Sequence, residues 1–118
     1  MTHEPIILEE RKMPPLIVLS TCSNPDEARK IAYDLLEKRL AACVNITPVN
    51  SLFIWKEAIE ESKEQLMIIK TSSELFDELE RHIKSVHSYE VPEVVGIQIE
   101  RGSKPYLDWL QTSLQKSV

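Results

Sequence analysis

Two glycines in 118 residues, Gly96 and Gly102, leave no room for the glycine clusters that bring a backbone close to phosphate. A Walker loop and a dinucleotide-binding fingerprint are both excluded on that ground. There is no GxSxG elbow and no HExxH helix, so two common hydrolase signatures are missing as well. Only two cysteines occur, Cys22 and Cys43, and they form no CxxC pair. Free thiols in a reducing compartment are the simpler expectation. Basic charge is also in short supply: the formal net charge is −5 and the pI about 5.2. That argues against a nucleic-acid partner, which would need a basic stripe. No apolar run is long enough to span a membrane. The opening stretch MTHEPIILEERKMPP has only Ile6, Ile7 and Leu8 as an apolar cluster, set among acids. It lacks the basic start and longer apolar region of a secretory signal. We expect a flexible tail over residues 1–14, one domain over 15–118, and a cytoplasmic protein with no membrane partner.

What is present is enough for a core, with 42% hydrophobic residues. Leu16-Ile17-Val18-Leu19 reads as a buried strand. Asn24-Pro25-Asp26-Glu27 starts a helix, with Asn24 as cap, Pro25 at the first turn and Glu27 able to close a capping box. Ala28, Ile31, Ala32, Leu35 and Leu36 carry that helix to about Leu40. Residues 41–55 are rich in β-branched and aromatic types, and Pro48 among them signals a bulge or an edge strand. Lys56-Glu57-Ala58 is short enough only for a hairpin turn into a second long strand, Ile59 to Thr71. Ser72 or Ser73 is expected to cap a second helix with Phe76, Leu79, Ile83 and Val86 inward. Val94 to Ile99 reads as a buried-side fourth strand. Ser103 is placed as the cap of a last helix bearing Tyr106, Leu107, Leu110 and Leu114.

This β-α-β-β-α-β-α order predicts an α+β fold, the ferredoxin-like split β-α-β sandwich with an antiparallel sheet and an added C-terminal helix. Strand 1 should lie between strands 3 and 4. Cys22, Trp55 and His87 should then share one end of the sheet, with Cys43 and Lys70 toward the other. The central hairpin is longer than its neighbours and must overhang. An overhang bearing Leu52, Phe53, Ile54 and Trp55 predicts a homo-oligomer that covers it.

Among chemical candidates, His82 and His87 are five residues apart and give no helical chelate. His87 and Cys22 can meet at one end of the fold, where imidazole plus thiolate would suit copper or zinc. Cys43 sits among small apolar residues and reads as core packing, while Cys22 and His87 are not expected to be indispensable to the core. Glu90 and Glu93 flank Pro92 as solvated acids. Lys70 ends a buried strand, where lysine is rare unless paired; a structural ion pair, with a glutamate of a neighbouring subunit as candidate partner, is the expectation, and an anion-binding role is the alternative. No nucleophile has a visible base beside it, so no enzyme is expected.

Several stretches together resemble the CutA family of divalent-cation tolerance proteins. They are Leu40-Ala41-Ala42-Cys43-Val44-Asn45-Ile46, Trp55 with Ile59-Glu60, Ile69-Lys70-Thr71, His87 with Tyr89-Glu90-Val91-Pro92-Glu93, and Tyr106-Leu107-Asp108-Trp109-Leu110. The resemblance runs from about Leu16 to Leu114. It implies a homotrimer with interlocked hairpins, similar in architecture to PII signalling proteins, and a role in metal tolerance with copper as ligand. Some members carry a copper-binding cysteine where this chain has Ser20; Cys22, on the same strand face, is the expected substitute. Val86 replaces a histidine that some members carry, Ser88 a usual proline, and Glu57 a usual turn glycine, so that turn is expected to differ. The expected metal ligands are His87 and Cys22. The alternative is a PII-like signalling or scaffold module whose intersubunit cleft holds a small ligand or a protein partner, with Lys70, Tyr89, Glu93 and Trp55 as its binding set.

Overall fold

A computed structural model describes residues 14–115 of the chain. The tail expected over residues 1–14 lies, apart from Pro14, outside the described residues. The elements in chain order are β1 (Pro15–Cys22), α1 (Pro25–Glu37), β2 (Cys43–Trp55), β3 (Ala58–Ser72), a 3-10 turn (Ser73–Leu75), α2 (Phe76–Val86), β4 (Val95–Gln98) and α3 (Lys104–Ser113). The four strands form one antiparallel sheet in the order β2-β3-β1-β4. This is the α+β split sandwich anticipated from the element order.

Alternation along β1 divides the sheet into two faces. Leu16, Val18, Ser20 and Cys22 are buried, while Ile17, Leu19 and Thr21 are only half-buried. The buried face joins Met67 and Ile69 of β3 to Ala28, Ile31 and Leu35 of α1 and Leu79 and Ile83 of α2. Leu110 and Leu114 complete this core from the C-terminal end. Ser20 and Cys22 do share a face, as period two requires. Cys22 is itself a core residue, contrary to the expectation that the core does not need it. Cys43 is half-exposed and lies outside the core cluster, because it opens β2 at the sheet edge.

The helix termini depart from expectation in instructive ways. The Asn24 side chain accepts the Glu27 N–H at 2.8 Å, and Pro25 occupies the first turn, as read from the sequence. Glu27 does not return to the cap; its carboxylate bonds to Ser23 and Ser88 instead. α1 stops at Glu37, before Leu40, in a Schellman arrangement. Leu40 N–H reaches Leu35 O at 2.9 Å and Arg39 N–H reaches Leu36 O at 3.0 Å, with Arg39 at φ 54° in the usual glycine position. Leu40 then buries against Leu35 in the core. Ser72, Ser73 and Ser103 make no side-chain cap bond. β4 is shorter than expected, and all four of its residues are exposed on the chain alone.

The hairpin is the dominant feature. β2 and β3 pair without a register break from Cys43↔Lys70 to Trp55↔Ala58, so Pro48 makes no bulge and sits on an edge strand. β1 reaches along β3 only to Gln65. The seven pairs from Val49↔Glu64 to Trp55↔Ala58 project beyond it, which is about 23 Å at ~3.3 Å per residue. The described chain measures 57 × 26 × 21 Å, with a radius of gyration of 15.9 Å; a compact domain of this size has about 13 Å. At the tip, Lys56 and Glu57 adopt φ 51° and 69°. Positive φ at both central residues is the two-residue hairpin turn that asparagine and glycine favour. Glu57 therefore adopts a left-handed backbone that glycine takes most readily.

Candidate functional site

The chemistry-bearing residues gather where the hairpin leaves the sandwich. β1 ends there on Thr21 and Cys22, and α1 begins there. α2 stops at Val86, and His87 turns extended (φ −81°, ψ 144°), carrying the chain back across that end. The His87 side chain is fully buried. Its Nε2 lies 2.8 Å from the Thr21 carbonyl oxygen. A carbonyl can only accept, so Nε2 carries the proton and donates it. Nδ1 accepts the backbone N–H of Tyr89 at 3.0 Å. Glu27 stands 3.6 Å from the same nitrogen and takes the Ser88 N–H at 2.8 Å and the Ser88 hydroxyl at 3.0 Å. The Tyr89 ring packs 4.8 Å from the imidazole, and its hydroxyl donates to Glu64 Oε2 at 2.5 Å. Glu64 is a buried carboxylate at the root of the hairpin. One network thus ties β1, α1, the 87–89 segment and β3 together.

Electrostatics reinforce the closure. Burial, then repulsion from Glu27 and more weakly Glu64, pushes the Cys22 thiol up to about 11. Its S–H points to the Asn24 carbonyl at 3.6 Å. For Glu27 burial alone would raise the pKa, but the Ser88 bonds outweigh it, with help from Ser23, and hold it below the ordinary 4.5. Tyr89 is driven well above its usual range by burial first and then by Glu64.

The expected metal pair does reach one end of the fold. Both ring nitrogens of His87 are engaged, and Cys22 is a protonated thiol inside the core. Among the described residues no group of three or more His, Cys, Asp or Glu is placed to hold a metal ion. His82 is elsewhere, 3.7 Å from Asp34.

The expected ligand set does not converge within one chain either. Lys70 lies at the far end of the sheet, opposite Cys43. Within one chain its ammonium donates to Asn45 Oδ1 at 2.8 Å and stands 5.9 Å from the Tyr106 ring. Trp55 is out at the hairpin tip beside Lys56, and Glu93 is exposed. Only Tyr89 belongs to the network. Beside it an open cleft of about 350 Å³ separates the start of α1 from the hairpin, lined by Ser23, Pro25, Pro48, Asn50, Lys63 and Gln65 among others.

Glu27, Ser88 and Glu64 escaped the sequence reading. Ser88 did carry a signal: where the family usually has proline, this chain has an N–H, and that N–H is the one Glu27 accepts.

A family model described as CutA1 divalent ion tolerance protein matches residues 16–113. Protein CutA from Mus musculus is 50% identical over 91 residues, covering 76% of this chain and 51% of that protein. The chain therefore spans about half the length of that mammalian relative. The divalent-cation tolerance protein CutA of Archaeoglobus fulgidus is 47% identical over 95 residues, covering 80% of this chain and 93% of that one. The solved structure of the periplasmic divalent cation tolerance protein CutA from the same organism superimposes with a TM-score of 0.84 at 44% identity, over 86% of this chain and 99% of that chain.

Proposed function

The chain belongs to the CutA1 divalent ion tolerance family, and on that premise we propose that it serves metal-ion tolerance as a cytoplasmic, non-enzymatic homotrimer. Its cargo in this reading is a divalent transition-metal cation, copper foremost and zinc next. The observation that carries the assembly is the bare hairpin: Leu52, Ile54 and Ile59 are 67%, 75% and 79% exposed on the chain alone. Apolar surface of that kind on an unpaired strand edge calls for a covering chain. With His87 and Cys22 engaged as described, the groups that hold the cation are ones that assembly brings together. The two unpaired cysteines suit a reducing cytoplasm. Among the described residues no helix is long and apolar enough to cross a membrane.

A second reading, the PII-like module holding a small ligand or a protein partner, is favoured by one observation. An open cleft within one chain lies directly beside the Tyr89–Glu64 contact, where a neighbouring subunit could add a wall. Sedimentation equilibrium followed by calorimetric titration with Cu(II) and Zn(II) separates the two. A trimer that binds either cation supports the first reading. A trimer that binds neither, but melts higher with a nucleotide or small anion, transfers the role to the cleft. A stable monomer defeats both. Fractionation of the native cells checks the location.

A further inference from the structure

We infer that His87 in this chain is a positioning residue for the Tyr89–Glu64 contact and not a cation ligand. Three observations converge. The ring has no exposed surface. Nε2–H is spent on the Thr21 carbonyl and the Nδ1 lone pair on the Tyr89 N–H, so no lone pair is open to a cation. The partner expected for it, Cys22, is fully buried with its S–H turned to the Asn24 carbonyl. What the ring does hold is the backbone of Tyr89, and that fixes where the phenol lands. The hydroxyl meets Glu64, a carboxylate 7% exposed, at 2.5 Å. A buried carboxylate without that donor would be left unsatisfied at the hairpin root. Glu27, by taking both the N–H and the hydroxyl of Ser88, closes the segment from the other side. The imidazole is thus the pivot through which β1 and α1 set the position of a hydrogen bond on β3. The inference does not depend on how chains assemble, so it and the trimer reading fail separately.

The test uses the full-length protein, with imidazole nitrogen NMR, and two substitutions. In the unsubstituted protein His87 should appear as the Nε2–H tautomer, and its signals should stay sharp when substoichiometric Cu(II) is added. A short hydroxyl bond to a carboxylate gives a strongly downfield proton, expected here from Tyr89. His87→Gln keeps an N–H within reach of Thr21 but is no imidazole, whereas His87→Ala removes both. The Gln variant should retain the downfield proton and melt about 5 °C or more above the Ala variant. Copper affinity should differ less than about twofold in either, against the tenfold or greater loss expected of a missing ligand. Selective bleaching of His87 by Cu(II), a thiolate-to-copper absorption band, or an equal tenfold loss in both variants would overturn the inference. If the protein takes up no copper, the tautomer and the Gln rescue still decide. An Nδ1–H tautomer, or a Gln variant as damaged as Ala, defeats it. If neither variant folds, the tautomer of the unsubstituted protein and its response to Cu(II) decide alone.

Discussion

Glu27 accepts three hydrogen bonds from two serines, one of them 61 residues away in sequence. Its pKa is lowered in the folded state, so its stabilisation is complete above the ordinary 4.5 and disappears as pH falls through the folded value. Glu27→Gln should cost about 1–3 kcal/mol at neutral pH, and the gap from the parent protein should close in acid, once pH has fallen below the ordinary 4.5 and through the lower folded value. Urea unfolding at both pH values checks this; a gap that persists in acid would mean that the charge is not what matters. Cys22 has the opposite sign. Its raised pKa keeps it a thiol, and ionising it would cost stability only as pH rises from 9.0 toward about 11. With iodoacetamide at mildly alkaline pH, native protein should be labelled at half-exposed Cys43 and spared at Cys22, as mass spectrometry would locate; native labelling of Cys22 would show that this end opens. At this scale the sequence was only partly legible. His87 and Tyr89 stood out as residue types, but their partners Glu27 and Glu64 look like any other acid in a chain with 19 of them. Only tertiary folding joins residues so distant.

Elements were far more legible, because their signals are local. A continuous apolar run marked β1, helical spacing marked α1 and α2, and the three-residue spacer between β2 and β3 forced a tight turn. The topology then followed from general handedness and from which strands can neighbour one another. The misses were termini, where one backbone conformation decides. Nothing in the sequence announced that Arg39 would take a left-handed φ and end α1; Glu57 takes one too, at the hairpin tip. A non-glycine residue there is strained by about 1–2 kcal/mol. Part of that is recovered as flexibility in the unfolded chain when glycine replaces it. Glu57→Gly should therefore raise stability by about 1 kcal/mol in chemical denaturation without altering the far-UV spectrum. A loss of stability would mean that the glutamate makes a contact in the assembled protein that outweighs the strain.

At the scale of the molecule, one face of the sheet carries α1 and α2. Register places Val95 and Ile97 of β4 opposite Leu19 and Ile17 of β1, on the face turned away from the helical core. Both are 48% exposed on the chain alone, and the half-buried Leu66 and Ile68 of β3 continue the same face. Trp55, at the tip of the overhang, is 43% exposed. These surfaces and the bare hairpin edge are what a trimer would cover. A charge at Ile97 tests that directly. Ile97→Glu should leave the chain folded, since the side chain lies outside the core cluster. In an assembled protein it would bury an unpaired carboxylate between subunits, at a cost of several kcal/mol. Sedimentation should then show dissociation at concentrations where the parent protein is trimeric. Tyr33→Glu, at an exposed position on α1, controls for added charge and should leave the assembly intact. If Ile97→Glu sediments like the parent protein, this face is not the interface, and the hairpin edge alone must carry the assembly. Trp55→Ala would then be the decisive variant. A Trp55 buried by a neighbour should cost about 3–5 kcal/mol when truncated, whereas one that stays half-exposed should cost far less.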